Sequence, residues 1–223
     1  MNTLNNSELA PPYIPVADHD GLIKLADLNE DPIIHFPVWD GARPGDFYQI
    51  VVNGNPISER HSLPNPISSR DLSLPIPLYT LEEEGVHAIS YLTIGMPAEM
   101  RWESQKTFVR IDRTAPGATL LAPFIFPHIN FGETLHGLVP GYARMEPGDV
   151  IQTLCNDVAG PAHVVIAEDL TERPVRIVFE REFLQGLNSK LIRISYQVTD
   201  RAGNRSIFAQ PVELTLQTSK DAN

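Results

Sequence analysis

Along residues 190–216 apolar and polar side chains take turns. Ile192, Ile194, Tyr196 and Val198 are interleaved with Leu191, Arg193, Ser195, Gln197 and Thr199, the period of a strand with one buried face. Residues 200–204 (Asp-Arg-Ala-Gly-Asn) predict a turn, because Gly203 and Asn204 tolerate positive φ and Asp200 can cap its own backbone. Val212, Leu214 and Leu216 resume the alternation, so a strand returns. The same period predicts strands at residues 33–36, 47–52, 71–77, 86–93 and 106–112, the third limited to an edge by its prolines. Asn53-Gly54 is a favoured hairpin turn, with a returning strand over 59–63. Further on, strands are expected at 119–121, 150–155, 162–167 and 175–179, with a proline-punctuated stretch to Pro140 and a turn over 156–161. Helical pattern is confined to single turns at 78–84 and 182–187. The 20 prolines and 14 glycines leave little room for long helices.

Two short motifs occur twice in the same order. Pro-Gly-Asp begins at Pro44 and again at Pro147, 103 positions on; Ile-Ser-Tyr begins at Ile89 and again at Ile194, 105 positions on. Such spacing indicates two homologous modules, each about a domain in length. Residues 113–117 (Arg-Thr-Ala-Pro-Gly) read as a short extended linker that lets the modules bend little. The expected division is a frayed start at 1–10, a first sandwich at 11–113, a second at 114–219 and a tail at 220–223. About seven short strands per module, separated by turn signals, predict an all-β protein of two tandem immunoglobulin-like β-sandwich domains. Tyr91 and Tyr196 sit early in each penultimate strand. There a sandwich uses a tyrosine either to bond back to the backbone or simply to pack on a neighbour.

Residues 196–206 (Tyr-Gln-Val-Thr-Asp-Arg-Ala-Gly-Asn-Arg-Ser) resemble the closing segment of bacterial immunoglobulin-like repeats, and residues 111–117 resemble their inter-repeat junction. The resemblance covers most of both modules. In the first, a longer loop over 94–104 carrying Trp102 stands where the second has its tight turn. The family's repeats serve as spacers or adhesive modules in large bacterial surface and secreted proteins, including adhesins. The resemblance therefore implies an extracellular or cell-surface role and carries over no catalytic residues. It implies adjacent repeats if the chain is part of a longer one.

Charge narrows the partners. A formal net charge of −11 repels phosphate backbones and anionic lipid, so nucleic acid and membrane insertion are not expected. Cys155 is the only cysteine, which excludes an intradomain disulfide and a cysteine-rich zinc site. The first residues lack the basic start and apolar run of a signal peptide. If the protein is exported, its signal lies outside this chain or is of an unusual kind.

The search for chemistry yields no catalytic set, no cofactor motif and no metal motif. His35 and His87 fall in strands and read as packing residues. Cys155 would need a base such as His163 across its hairpin to act as a nucleophile, and reads better as a small strand residue. Glu82, Glu83 and Glu84 fan out as a solvated turn. Asp18, Asp20 and Asp112 would make a Ca²⁺ site only if loops brought them together. Trp39, Tyr142, Tyr13 and Trp102 are the aromatics that alternation does not explain. Trp39 and Tyr142 precede the two Pro-Gly-Asp turns, which favours structure. Trp102 has no counterpart and is the candidate for ligand contact with a protein or glycan partner. The alternative to a spacer or adhesion-type segment is a carbohydrate-binding module or an accessory domain of a secreted enzyme or toxin.

Overall fold

A computed structural model describes residues 9–57, 59–128 and 132–216. The expected frayed start falls, through residue 8, outside the described residues, as does the expected tail at 220–223. The chain divides into two compact units, Met1–Arg113 and Thr114–Asn223.

The first unit contains β1 (Leu22–Ile23), β2 (Ile33–Pro37), β3 (Phe47–Val52), β4 (Asn55–Pro56), β5 (His61–Ser62), β6 (Asp71–Pro75), β7 (Gly85–Gly95), β8 (Met100–Glu103) and β9 (Thr107–Ile111). One sheet runs β1-β9-β7-β3-β4, with β5 on β3 and β8 on β7. The other pairs β2 with β6, and Tyr13 bridges to His35 on the free side of β2. Ile34, Phe36 and Leu74 from this second sheet meet Ile50, Val52, Ile89, Tyr91 and Val109 from the first in one buried cluster. Phe36 stacks on Tyr91 with ring centroids 4.0 Å apart.

The second unit contains β10 (Thr134–Val139), β11 (Val150–Cys155), β12 (Val158–Val164), β13 (Val175–Glu180), β14 (Leu191–Thr199) and β15 (Val212–Thr215). Its sheets are β12-β11-β14-β15 and β10-β13, and Ile125 bridges to Leu138 of β10. Leu135, Val139, Ile177 and Phe179 pack against Ile151, Ile194, Tyr196 and Val198. The only α-helix among the described residues is Arg181–Gly186. Each unit is thus a two-layered sandwich with immunoglobulin-like connections, antiparallel throughout its strand pairs among the described residues except where β1 runs parallel to β9 in the first.

The repeated motifs hold equivalent places. In each unit the Pro-Gly-Asp aspartate is buried: Asp46 in the first, Asp149 in the second. Gly45 N donates to Leu63 O and Leu63 N to Asp46 O; Gly148 N donates to Val165 O and Val165 N to Asp149 O. The strand then runs into a turn headed by an asparagine at positive φ, Asn53 or Asn156. Each asparagine side chain reaches across to the strand that carries Ile-Ser-Tyr. Asn53 Oδ1 accepts from Ala88 N at 2.9 Å, and Asn156 Oδ1 accepts from Arg193 N at 2.8 Å. Asn156→Ala removes that bond and the donation from Asn156 Nδ2 to Leu191 O, and it places a Cβ residue of low αL tolerance at φ 48°. The expected cost is about 2 kcal/mol, read as a lower urea midpoint with unchanged slope. A cost below about 0.5 kcal/mol would mean that the latch stabilises nothing.

Several predicted elements differ. Residues 94–104 form no loop: β7 continues to Gly95 and β8 pairs back on it, with Thr93 opposite Trp102. Residues 119–121 form no strand. A turn occupies 116–119, with Gly117 and Ala118 at positive φ, and Leu121 drops into the core from irregular chain. The stretch to Pro140 hides β10, whose inward Gly137 is covered by Phe124, Phe126 and Phe179. The turn expected over 156–161 narrows to Asn156 and Asp157, both at positive φ, and β12 starts at Val158. At the last turn Gly203 takes positive φ and Asn204 does not. Asn204 instead gives its N–H to Asp200 Oδ1 and its side-chain amide to Oδ2.

Candidate functional site

Trp102 is 41% exposed on β8, two residues from Met100 and therefore on the same face of that strand. Gly95 faces it, so close that a Cβ there would lie 3.3 Å from the indole. One edge of the ring lies against the Gly95 backbone, and the residue remains partly open to solvent. Met96 and Met100 add adaptable apolar surface beside it.

A shallow groove of about 370 Å³ lies on the outer side of the second unit's larger sheet. Strand register makes it. The first half of β14 pairs with β15, from Leu191 opposite Thr215 to Ile194 opposite Val212. Beyond that, the segment after the Asp200 turn takes over: Ser206 N donates to Val198 O and Ala209 N to Tyr196 O. The chain bows between the two, and Ser195 Oγ donates to Ala209 O to hold it. Phe208, 53% exposed, Pro211 and Leu154 supply apolar lining; Asp157 and Arg193 supply charge. Arg193 pairs with Glu213 at 3.7 Å, and both side chains are more than half exposed, so the pair contributes little to stability. Asn156 also lines the groove, but its amide is committed to Arg193 and Leu191.

Geometry speaks against the nucleophile alternative for Cys155 and in favour of its reading as a small strand residue. Cys155 is fully buried opposite Val158, and burial pushes its thiol up to about 12. His163 stands opposite Ile151 and bonds Asp169 Oδ2 at 2.7 Å. Burial raises the Asp169 carboxyl, but the Ile166 N–H and His163 outweigh it and hold the group below the usual range. His87 packs in the first unit, where its Nε2 donates to Glu83 O at 2.9 Å and its Nδ1 accepts from Asn53 Nδ2 at 3.2 Å. Asp20 and Asp112 both approach Arg110, at 3.8 and 3.9 Å, while Asp18 pairs with Lys24. Asp20 and Asp112 thus face a guanidinium, and the three carboxylates do not converge on a common point. Among the described residues no three Asp, Glu, His or Cys side chains converge as a metal centre.

Tyr142 is buried and gives its hydroxyl to Asp149 Oδ2 at 2.9 Å, in keeping with the structural role inferred from its position before the turn. Tyr196 bonds back to the backbone, its hydroxyl donating to Ala122 O at 2.6 Å. Burial pushes the Tyr196 phenol up to about 12. Sequence reasoning missed Phe208, Arg193 and Asp157, because the groove depends on where β14 changes partner. It also passed over Asp149, although the repeated Pro-Gly-Asp marked the position.

No family model matches the chain, and no curated protein matches it. Among solved structures, a region of a 1.5-MDa bacterial ice-binding adhesin, described for host cell surface retention, aligns at 14% identity with a TM-score of 0.50. The alignment covers 93% of this chain and 64% of that one. Clostridium thermocellum CbhA fibronectin(III)-like modules align at 12% identity and TM-score 0.45, over 100% of this chain and 97% of theirs. The chicken interferon gamma receptor alpha chain aligns at 9% identity and TM-score 0.31, over 84% and 93%. The adhesin match is a likeness of fold, that of immunoglobulin-like sandwiches.

Proposed function

We propose that this chain is a non-catalytic tandem immunoglobulin-like segment, a spacer and interaction element of a bacterial surface or secreted protein. One observation carries the reading. The two units keep the same internal lock, built on Asp46 and Asp149 and on Asn53 and Asn156, while the first presents the β7–β8 hairpin with Trp102 and the second the groove lined by Phe208. Duplication that preserves the frame and frees the faces suits a part whose work is to set distance and to present contact surface. The adhesin likeness supports this reading.

Stretching the full chain between handles tests it. Two separate rupture events are expected, each releasing about 100 residues and so lengthening the tether by roughly 30 nm, from about 3.5 Å per extended residue less the folded span. A single event releasing the whole chain would sink the two-bead spacer.

The exposure of Trp102 favours a second reading, a glycan-binding module in which the indole stacks on a sugar face. A glycan array probed with the full chain is then expected to give signals that Trp102→Ala abolishes. Signals untouched by that substitution would remove Trp102 from the site.

A further inference from the structure

The duplicated Pro-Gly-Asp turns differ at one atom. Asp46 has both carboxylate oxygens satisfied, Oδ2 by Arg43 N and Oδ1 by Met96 N, each at 2.9 Å. Asp149 Oδ2 accepts from Tyr142 Oη at 2.9 Å and Glu146 N at 3.1 Å. Its Oδ1 is buried and accepts no hydrogen bond from any described residue. An ionised oxygen in that state is costly, because a buried charge without a donor has lost water and gained nothing.

We propose that Asp149 is an acid-responsive group that makes the second unit, and not the first, more stable as the pH falls from 7 to 5. Neutralising the carboxyl relieves the orphan oxygen and leaves Oδ2 to keep its two bonds. The surroundings act the same way. Asp200, from the end of β14, and Glu146, from the turn itself, both disfavour a charge on Asp149. Arg201 passes over Gly148, its side chain within 2.7 Å of where a Cβ would stand, yet neither it nor any other described residue donates to Oδ1. On the β12 side Asp149 meets the Val165 backbone, with His163 and Asp169 paired to each other beyond it. Tyr196 lies close enough to influence Tyr142, as does Asp169.

Burial is the largest cause and raises the Asp149 carboxyl to about 6; the bonds from Glu146 N and Tyr142 oppose it, while Asp200 and Glu146 add to it. A carboxyl raised in the folded state binds its proton there first. Its stabilisation is complete below the unfolded value of 3.8 and is lost as the pH climbs through about 6. From pH 7 to pH 5 the folding constant of the second unit therefore rises about tenfold from this group.

The test uses the full chain. Carbon-13 NMR of the aspartate carboxyls is expected to show Asp149 titrating near pH 6, and amide-exchange protection of Val165 and β11 to rise about tenfold between pH 7 and 5, after correction for intrinsic rates. Asp149→Asn is expected to abolish that rise, and Asp46→Asn to leave it intact. A midpoint near 4 in the unaltered chain overturns the proposal, whether or not Asp149→Asn folds. A tenfold rise that survives in Asp149→Asn also overturns it.

Discussion

Tyr196→Ala is expected to lower the stability of the second unit by about 3–5 kcal/mol, the range for deleting a large buried aromatic. The ring is fully buried and meets Phe124 edge to face with centroids 5.0 Å apart. Its removal opens a cavity that Phe124 and Phe179, themselves in contact, cannot both collapse to fill. The substitution also strips Ala122 O of its donor. Tyr196→Phe separates the two losses: it keeps the packing and is expected to cost only about 1–2 kcal/mol for the unpaired carbonyl. Urea denaturation followed by residue-resolved amide exchange would read both. Protection in β11 and β14 should fall while that in β3 and β7 of the first unit holds. If both sets fall together, the chain folds as one cooperative body and the proposal of two self-sufficient modules fails.

Gly21→Ala is the second large effect, expected in the first unit. Gly21 sits at φ +84°, and a Cβ there would come 2.5 Å from the carbonyl oxygen of Phe108. Backbone is the obstacle, so no rotamer change relieves the clash. Gly21 O also accepts from Arg110 N at 2.8 Å, at the start of the parallel pairing between β1 and β9. Any side chain must lift β1 from β9, and Leu22 and Ile23, both almost wholly buried, lift with it. A loss of about 2–4 kcal/mol is expected, the sum of left-handed strain and a broken edge. Gly203→Ala supplies the contrast: φ is +96° there too, but nothing lies within 4 Å. It should cost only about 1 kcal/mol. Equal losses at the two positions would show that the contact with Phe108 is immaterial. Thermal melts of the two variants, run side by side, decide it.

What the chain announced in advance, and what it concealed, follow physical lines. β3 and β11 were legible to the residue. In each an apolar run lies between a Pro-Gly-Asp turn and an asparagine turn, so both ends are marked by local chemistry. β10 was hidden because its inward position 137 is glycine. Three rings that arrive from elsewhere fill the space, and alternation cannot register a missing side chain. The strand expected at 119–121 has the right composition, but the positive φ of Gly117 and Ala118 turns the chain before it can pair. β8 was concealed by its content, since Met100–Glu103 is short, exposed and half charged. For the groove, the decisive fact is the partner exchange along β14, a long-range event. The burial of Asp149 could be inferred from its twin at Asp46. Its unsatisfied oxygen could not, because that depends on which backbone amide the opposite strand brings near.

One of the two outer strands of the second unit's larger sheet, β12, is bulged opposite Gln152–Leu154. Pro161 in its middle has no N–H to offer. The Pro161 and Gly160 carbonyls are already taken by Thr153 Oγ1 and Gln152 Nε2. Homologous neighbours on one tether face a particular hazard, for when pulled open together they can recombine in mixed pairs. A margin that is bulged, interrupted by proline and has its central carbonyls already engaged offers a stray strand a poor template. On the proposed spacer reading, this edge of the second sandwich disfavours mixed pairing after an extension, and repeated loading is expected to leave the unit as it began.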